Sequence, residues 1–290
     1  MPTEDALVAV TLCSRLGRGA QTRALDARTW TDVVRALQAA DRASPGALIG
    51  QQASALQESF GLSASLSERV ELLLRGLGSA SMEVERLSTI GIWTLTRGDA
   101  AYPTLWKQRL GPAAPPVVFG AGDRARLRGN LVALLGGRGG SASHRAFART
   151  LGESCARDGW SVVTAGRRGV EEESTAACLA AGGGAVEFPA DSVERAVARK
   201  TNREAIVDGR LTVLSASLPE ERGGEDRVRL VHTLARYACA LDGEPAALEG
   251  SGGPVPVRPG EGDVRLDPAA PVEELFAAGE RPPEQGEFEF

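Results

Sequence analysis

The sequence predicts an α/β protein, a Rossmann-like parallel sheet with helices on both faces, preceded by a small all-α domain. Three observations predict it. Short apolar runs alternate with segments of helical period from residue 131 onward. The first of those runs, LVALLGG, ends in glycines that lead straight into a helix start, and before residue 92 the pattern is helical throughout. Buried strands separated by helices give a parallel sheet covered on both sides.

The elements follow in order. Residues 1–91 hold five short amphipathic segments: LVAVTLCSRL, WTDVVRALQAADRA, PGALIGQQASALQESFG, SERVELLLRGLG and MEVERLSTIG. In the second, Val33, Val34 and Leu37 recur at helical spacing, with Thr31 or Asp32 as the expected cap. Helices this short need one another's apolar faces, so a small helical domain ending near Gly91 is expected. Residues 92–130 read as a connector with one edge strand, PPVVFGAGD, because prolines at 103, 112, 115 and 116 forbid a long helix.

Residues 131–243 carry the Rossmann-like pattern. LVALLGG is followed by the helix SASHRAFARTLGESCARDG, in which Phe147, Leu151 and Cys155 fall four apart on one face. Next are the strand WSVVTAG, a helix from near Glu172, the strand GAVEF, a helix from about Asp191 to Asp208, the strand LTVLSAS and the helix EDRVRLVHTLARYACAL. Residues 244–290 read as a mobile, acidic Gly/Pro-rich tail, in which GSGGPVPVRPGEGD holds no regular element and APVEELFAAG forms a short helix.

Composition narrows the chemistry. The chain has 290 residues, 42% hydrophobic and 24% charged, which is ordinary globular usage. No run approaches the roughly 18 apolar residues of a membrane span, and the start MPTEDALVAV has no signal-peptide form, so a soluble cytoplasmic protein with no membrane contact is expected. Two histidines, His144 and His232, and four scattered cysteines, Cys13, Cys155, Cys178 and Cys239, offer no metal-ligand spacing and no recognisable nucleophile setting. No metal site, no Ser-His-Asp or Cys-His hydrolytic chemistry and no required cofactor are therefore expected, with a bound nucleotide allowed. His232 reads as a core or surface residue.

Net charge is −5, yet residues 243–290 hold eleven acids against three arginines, while residues 120–170 hold nine arginines against three acids. Positive charge thus gathers where the sheet pattern begins. Arginine also outnumbers lysine by 31 to 2, and the guanidinium fork suits phosphate.

The candidate site starts in the first glycine-rich turn: Gly137, Arg138, Gly139, Gly140 and Ser141. Consecutive glycines let a backbone approach a phosphate, and free amides at a helix start favour an anion. Gly137, Gly139 and Ala142 also fit a relaxed dinucleotide fingerprint. A turn that binds nothing is the equally available reading. The second strand ends at Gly166-Arg167-Arg168-Gly169, which favours a phosphate or phosphodiester over an unmodified ribose. Glu171, Glu172 and Glu173 follow at the next helix start, where acids stabilise the dipole and repel phosphate. An anion site is therefore expected to centre on 138–143, with Arg167 and Arg168 reaching in. The run Arg199-Lys200-Thr201-Asn202-Arg203 offers a third wall, of which Lys200, Asn202 and Arg203 are taken as candidates; a solvated helix end is the plainer alternative.

The motifs Gly98-Asp99, Tyr102-Pro103 and Pro115-Pro116, in that order before an apolar strand, resemble the region leading into the Rossmann-like domain of the DNA-processing protein A (Smf) family. Gly137, Arg138 and Ser141 stand at matching positions of that family's Gly-x-Arg-x-x-Ser loop. Arg168-Gly169-Val170 stand where Arg-Gly-Ile is usual, with Glu171 replacing an aspartate and Thr175 a histidine. Asn202-Arg203 keep part of an Arg-Asn-Arg motif, while the family's Ser-Gly-Ser-x-x-Thr-Ala and Ala-x-Pro-Gly segments are eroded. The resemblance spans about residues 90–243 and marks a divergent member.

It implies a cytoplasmic, dimeric single-stranded DNA binder that loads a RecA-type recombinase in recombination or natural transformation, without enzymatic turnover. The wider Smf/DprA-LOG (SLOG) superfamily implies the alternatives of a nucleotide-binding sensor or a protein-contacting scaffold, with phage defence as one setting. The Pro-Gly-Gly-x-Gly-Thr-x-x-Glu motif of its phosphoribohydrolases does not occur. Aromatic residues make up only 4% of the chain, so backbone contacts are expected to outweigh base stacking.

Overall fold

The computed structural model describes residues 2–17, 23–40, 44–137, 139–224, 226–241, 248, 250–259 and 266–279. Helix α1 (Glu4–Cys13) starts at Thr3, whose hydroxyl accepts the Ala6 amide at 3.2 Å. Helix α2 (Ala27–Ala39) starts earlier than expected. Its cap is Asp26, whose carboxylate takes the Arg28 and Thr29 amides at 3.0 and 2.9 Å, bonds that lower its pKa.

The run PGALIGQQASALQESFG does not form one helix. Pro45–Leu48 make a single 3-10 turn, Gly50 turns the chain with φ +77°, and α3 (Ala53–Phe60) begins afresh with the Ala53 amide held by Glu71 at 2.8 Å. A left-handed glycine at that point ends the helical period. Helices α4 (Ala64–Leu74) and α5 (Leu77–Thr89) complete the helical region.

The connector holds two strands, not one. Strand β1 (Trp93–Thr96) pairs antiparallel with β2 (Val117–Ala121), and between them lies helix α6 (Thr104–Leu110). Gly120 has no side chain because the Trp93 ring fills its place: a Cβ there would lie 2.4 Å from Trp93 Cη2. Four residues are too few for a period to be read, which hides β1 in the sequence.

The sheet then alternates as expected: β3 (Leu131–Gly136), α7 (Ala142–Arg157), β4 (Ser161–Thr164), α8 (Val170–Ala180), β5 (Gly184–Glu187). The long helix expected from Asp191 to Asp208 is two, α9 (Val193–Ala198) and α10 (Lys200–Val207), because Arg199 takes extended backbone angles between them. After β6 (Leu211–Ser215), the segment read as one helix to Leu241 divides again. Helix α11 (Arg227–Leu234) stops, and β7 (Tyr237–Leu241) runs parallel beside β3. The Arg109 guanidinium marks the change by binding the Thr233 carbonyl at 3.0 Å and the Ala235 carbonyl. No glycine or proline separates the helix from the short apolar run that follows it, so the period alone misassigns the strand.

The eight strands lie in the order β1-β2-β6-β5-β4-β3-β7-β8, with β6 through β8 parallel and β1 and β2 antiparallel at one end. Successive residues of β3 face opposite layers. Val132 and Leu134 join a cluster containing α7, α8 and the amino-terminal helices, while Leu131, Ala133 and Leu135 join one containing α6 and α11.

The tail departs from expectation only in its first part, which holds a strand, while its short helix forms where expected. Strand β8 (Pro256–Val257) pairs with Ala238 and Cys239 of β7, and helix α12 (Val272–Gly279) docks where Asp158 takes the Val272 amide at 2.9 Å. His232, 2% exposed, holds the tail through Ser251 Oγ at 2.6 Å and the Pro254 carbonyl at 2.7 Å, and burial lowers its pKa. Phe276 stacks on Tyr237 with centroids 4.8 Å apart, and Tyr237 in turn packs on Trp160. Phe276→Ala is expected to lower the unfolding free energy by about 3 kcal/mol, read from the shift of the urea-denaturation midpoint, since it empties a closed aromatic contact.

Candidate functional site

Parallel strands deliver their carboxyl ends, and the loops that follow them, to one edge of the sheet. The chain leaves β3 outward through β4, β5 and β6 and then returns to β7 on the other side of β3. The β3–α7 loop therefore stands where the winding reverses. Gly139 and Gly140 take φ of +110° and +71°, conformations a side chain would strain, and Ser141 caps α7 by accepting the His144 amide at 3.1 Å. Arg138 lies outside the described residues.

The second loop packs directly on the first. Gly169, with φ +99°, begins α8, and a Cβ on it would stand 2.6 Å from the Gly139 carbonyl oxygen. Beneath both lies Glu171, 0% exposed, which accepts the Gly136 amide at 3.3 Å and the Arg167 amide at 3.0 Å. Two peptide donors at this rim are thus held by an internal carboxylate. Burial pushes the Glu171 pKa up to about 7 against the opposing pull of those amides and of Arg167.

The open concavity lies one loop further along, above the ends of β4 and β5, and measures about 880 Å³. Arg167, Arg168 and Asn202 of the expected set line it, together with Arg199, Arg222 and Arg227. The remaining expected residues do not line it: Gly137, Gly139, Gly140, Ser141 and Gly169 form or abut the neighbouring first loop, while Lys200 and Arg203 sit exposed on α10. Arg222 lies on the β6–α11 connection and Arg227 opens α11, and only the return of the chain across the sheet brings them here. Nothing in local spacing signals that. Arg199 belongs to the basic run seen in the sequence.

These cations differ in what already holds them. Arg167 donates to the Gly136 carbonyl at 3.2 Å, and Arg227 to the carbonyls of Ala165 and Gly223 at 3.1 Å each. Arg199 stands 3.6 Å from Asp191. Arg168 and Arg222 are exposed and have no ion pair among the described residues. The wall also carries acids, Glu172, Glu187 and Asp191 besides Glu171. Burial raises the Glu187 pKa, with Arg199 opposing and Glu172 reinforcing the shift, and the Ser192 amide lowers that of Asp191. The Asn202 amide nitrogen is buried without a partner. The cleft is therefore a mixed-charge groove with two uncommitted guanidinium groups at its mouth. Among the described residues no aromatic ring lines it.

A carboxyl group whose folded pKa is raised retains its proton in the native state after the unfolded chain has lost it. Stability is then highest below about pH 4.5 and declines as pH rises to about 7. The decline expected from Glu171 is on the order of 3 kcal/mol. Denaturation midpoints measured from pH 4 to 8 are expected to show it, and Glu171→Gln to flatten most of the slope, whatever its effect at a single pH.

Among known proteins, a family model described as DNA recombination-mediator protein A matches residues 93–236. The solved DNA processing protein A (DprA) of Streptococcus pneumoniae superimposes with a TM-score of 0.56 at 15% identity, over 86% of this chain and 81% of that chain, a likeness of fold. The DNA processing protein A of Helicobacter pylori, described for its single-stranded DNA binding mode, is 19% identical over 55% of this chain and 74% of that chain, with a TM-score of 0.43. No curated protein matches in sequence. Among the described residues no helix is long and apolar enough to cross a membrane, and no group of three or more His, Cys, Asp or Glu is placed to hold a metal ion.

Proposed function

Residues 93–236 belong to the DNA recombination-mediator protein A family, and from that premise we propose that this protein handles DNA by binding single strands along the carboxyl edge of its sheet. The observation that carries the reading is the convergence of Arg167, Arg168, Arg199, Arg222 and Arg227 on one cleft from separate loops and helices. Arg168 and Arg222 are free to fork onto phosphate oxygens, while Arg167 and Arg227 stiffen the wall through their carbonyl bonds. The Gly139 backbone packs against Gly169 beside that cleft, so the first loop extends the path of a strand, with Arg138 added on the sequence expectation alone. With no aromatic platform in the cleft, phosphate neutralisation supplies most of the affinity. A RecA-type recombinase, the partner implied by the sequence resemblance, would receive the strand in a cytoplasmic setting, and a homodimer would present two such clefts.

A nucleotide-sized ligand is the second reading, favoured by the buried, unpartnered Asn202 amide on the cleft wall. A mononucleotide acting there would raise the melting temperature even in high salt, whereas a gain from an oligonucleotide would vanish.

Fluorescence anisotropy with a labelled single-stranded oligonucleotide tests the main reading. Arg168→Ala and Arg222→Ala are each expected to weaken binding and to reduce the slope of log K against log salt by about 0.7 for each phosphate no longer neutralised. Arg35→Ala, on the exposed face of α2 with Asp32 3.6 Å away, serves as the control and is expected to leave both quantities unchanged. Unaltered slopes in both cleft variants would remove the site from the account.

A further inference from the structure

A second cavity, of about 650 Å³, opens between the amino-terminal helices and the loop that follows β1. Its two sides differ in kind. Ala6 and Ala9 of α1 and Trp30 and Val34 of α2 make an apolar wall, and Arg97 and Lys107 border it with charge. Arg97 is half-buried and donates to neutral acceptors, Thr31 Oγ1 at 3.0 Å and the Gly111 carbonyl at 3.2 Å. Lys107 is exposed, with its ammonium 5.6 Å from the centre of the Tyr102 ring. Neither cation is ion-paired among the described residues.

Two acids also border the space, but their bonds turn into their own loops. Asp5 takes the Gly46 amide at 2.7 Å and the Ser44 hydroxyl, and Asp99 takes the Thr96 amide at 2.6 Å and hydroxyl at 2.7 Å. Open hydrogen-bonding capacity among the charged groups facing the cavity is thus mainly on the cations, since a guanidinium has five N–H donors and an ammonium three. A half-buried guanidinium beside an apolar wall is a poor arrangement for an empty space and a good one for an anion carrying a hydrocarbon body. The volume falls within the roughly 300 to 1,000 Å³ of small-molecule sites, which combine apolar walls with a few convergent polar groups.

We propose that this cavity binds a small organic anion, its acidic head on Arg97 and Lys107 and its aromatic or aliphatic body against Ala6, Ala9 and Val34. The site shares no lining residue with the arginine cleft and does not depend on the reading of that cleft. Because the amino-terminal helices form one wall and the β1–α6 segment the other, an occupant bridges the two.

The test is a fluorescence titration of the full chain with 1-anilinonaphthalene-8-sulfonate and with its uncharged relative N-phenyl-1-naphthylamine. The sulfonate is expected to bind saturably at one site, about tenfold more tightly than the neutral dye. Lys107→Glu, at an exposed position, is expected to weaken the sulfonate about tenfold and leave the neutral dye unchanged. Val34→Trp, which fills the space from a half-buried position, is expected to abolish binding of both, with circular dichroism and single-stranded DNA affinity unaltered. Equal affinities for the two dyes, or sulfonate binding indifferent to both substitutions, would overturn the proposal.

Discussion

A carboxylate buried under the carboxyl edge of the sheet organises everything that stands above it. Glu171 binds the last amide of β3 and the Arg167 amide of the loop after β4, so one side chain fixes the ends of two adjacent strands relative to each other. Gly136 and Gly169 are glycines for the same reason. Val170 leaves no room for a side chain on Gly136, and the Gly139 carbonyl leaves none on Gly169. An ionised carboxylate in such a place is costly unless hydrogen-bonded, and the two amides lower that cost without removing it. The residue therefore acts as a tie between loops and also as a reserve of negative charge behind them.

The cleft beside this tie is balanced rather than simply basic. Arginines whose guanidinium groups bind carbonyls at strand ends act as struts, and the acids Glu187 and Asp191 temper the field of Arg199. Only the cations at the mouth keep their capacity for an external anion. A cleft of this kind holds a polyanion by a few well-placed forks and releases it readily as salt rises.

The parts of this arrangement that were legible in the sequence are those set by local chemistry. The glycine-rich turn after LVALLGG, the Arg167-Arg168 turn after WSVVTAG and the order of the four strands from β3 to β6 follow from period and turn residues alone. The fold class and family resemblance rest on the same stretches. Strand β7 was hidden because no glycine or proline divides residues 227–241, and its identity comes from the gap between β3 and the tail that it fills. Arg222 and Arg227 were hidden for a related reason: their place in the cleft is a product of the chain's return across the sheet. Glu171 looked like one of three dipole-complementing acids, although burial separates it from Glu172 and Glu173.

The carboxyl-terminal segment gives the sheet something its own strands lack. A parallel sheet ending at β7 would present a flank of unused peptide groups, a template on which a strand from another molecule can grow. Pro256 and Val257 cover part of that flank, the proline lacks the donor a newcomer would need, and the His232 clasp keeps the pair in place. At the opposite flank only the four residues of β1 remain, too short a ledge for ordered stacking. The tail thus blunts the one long edge on which copies of the chain could otherwise stack.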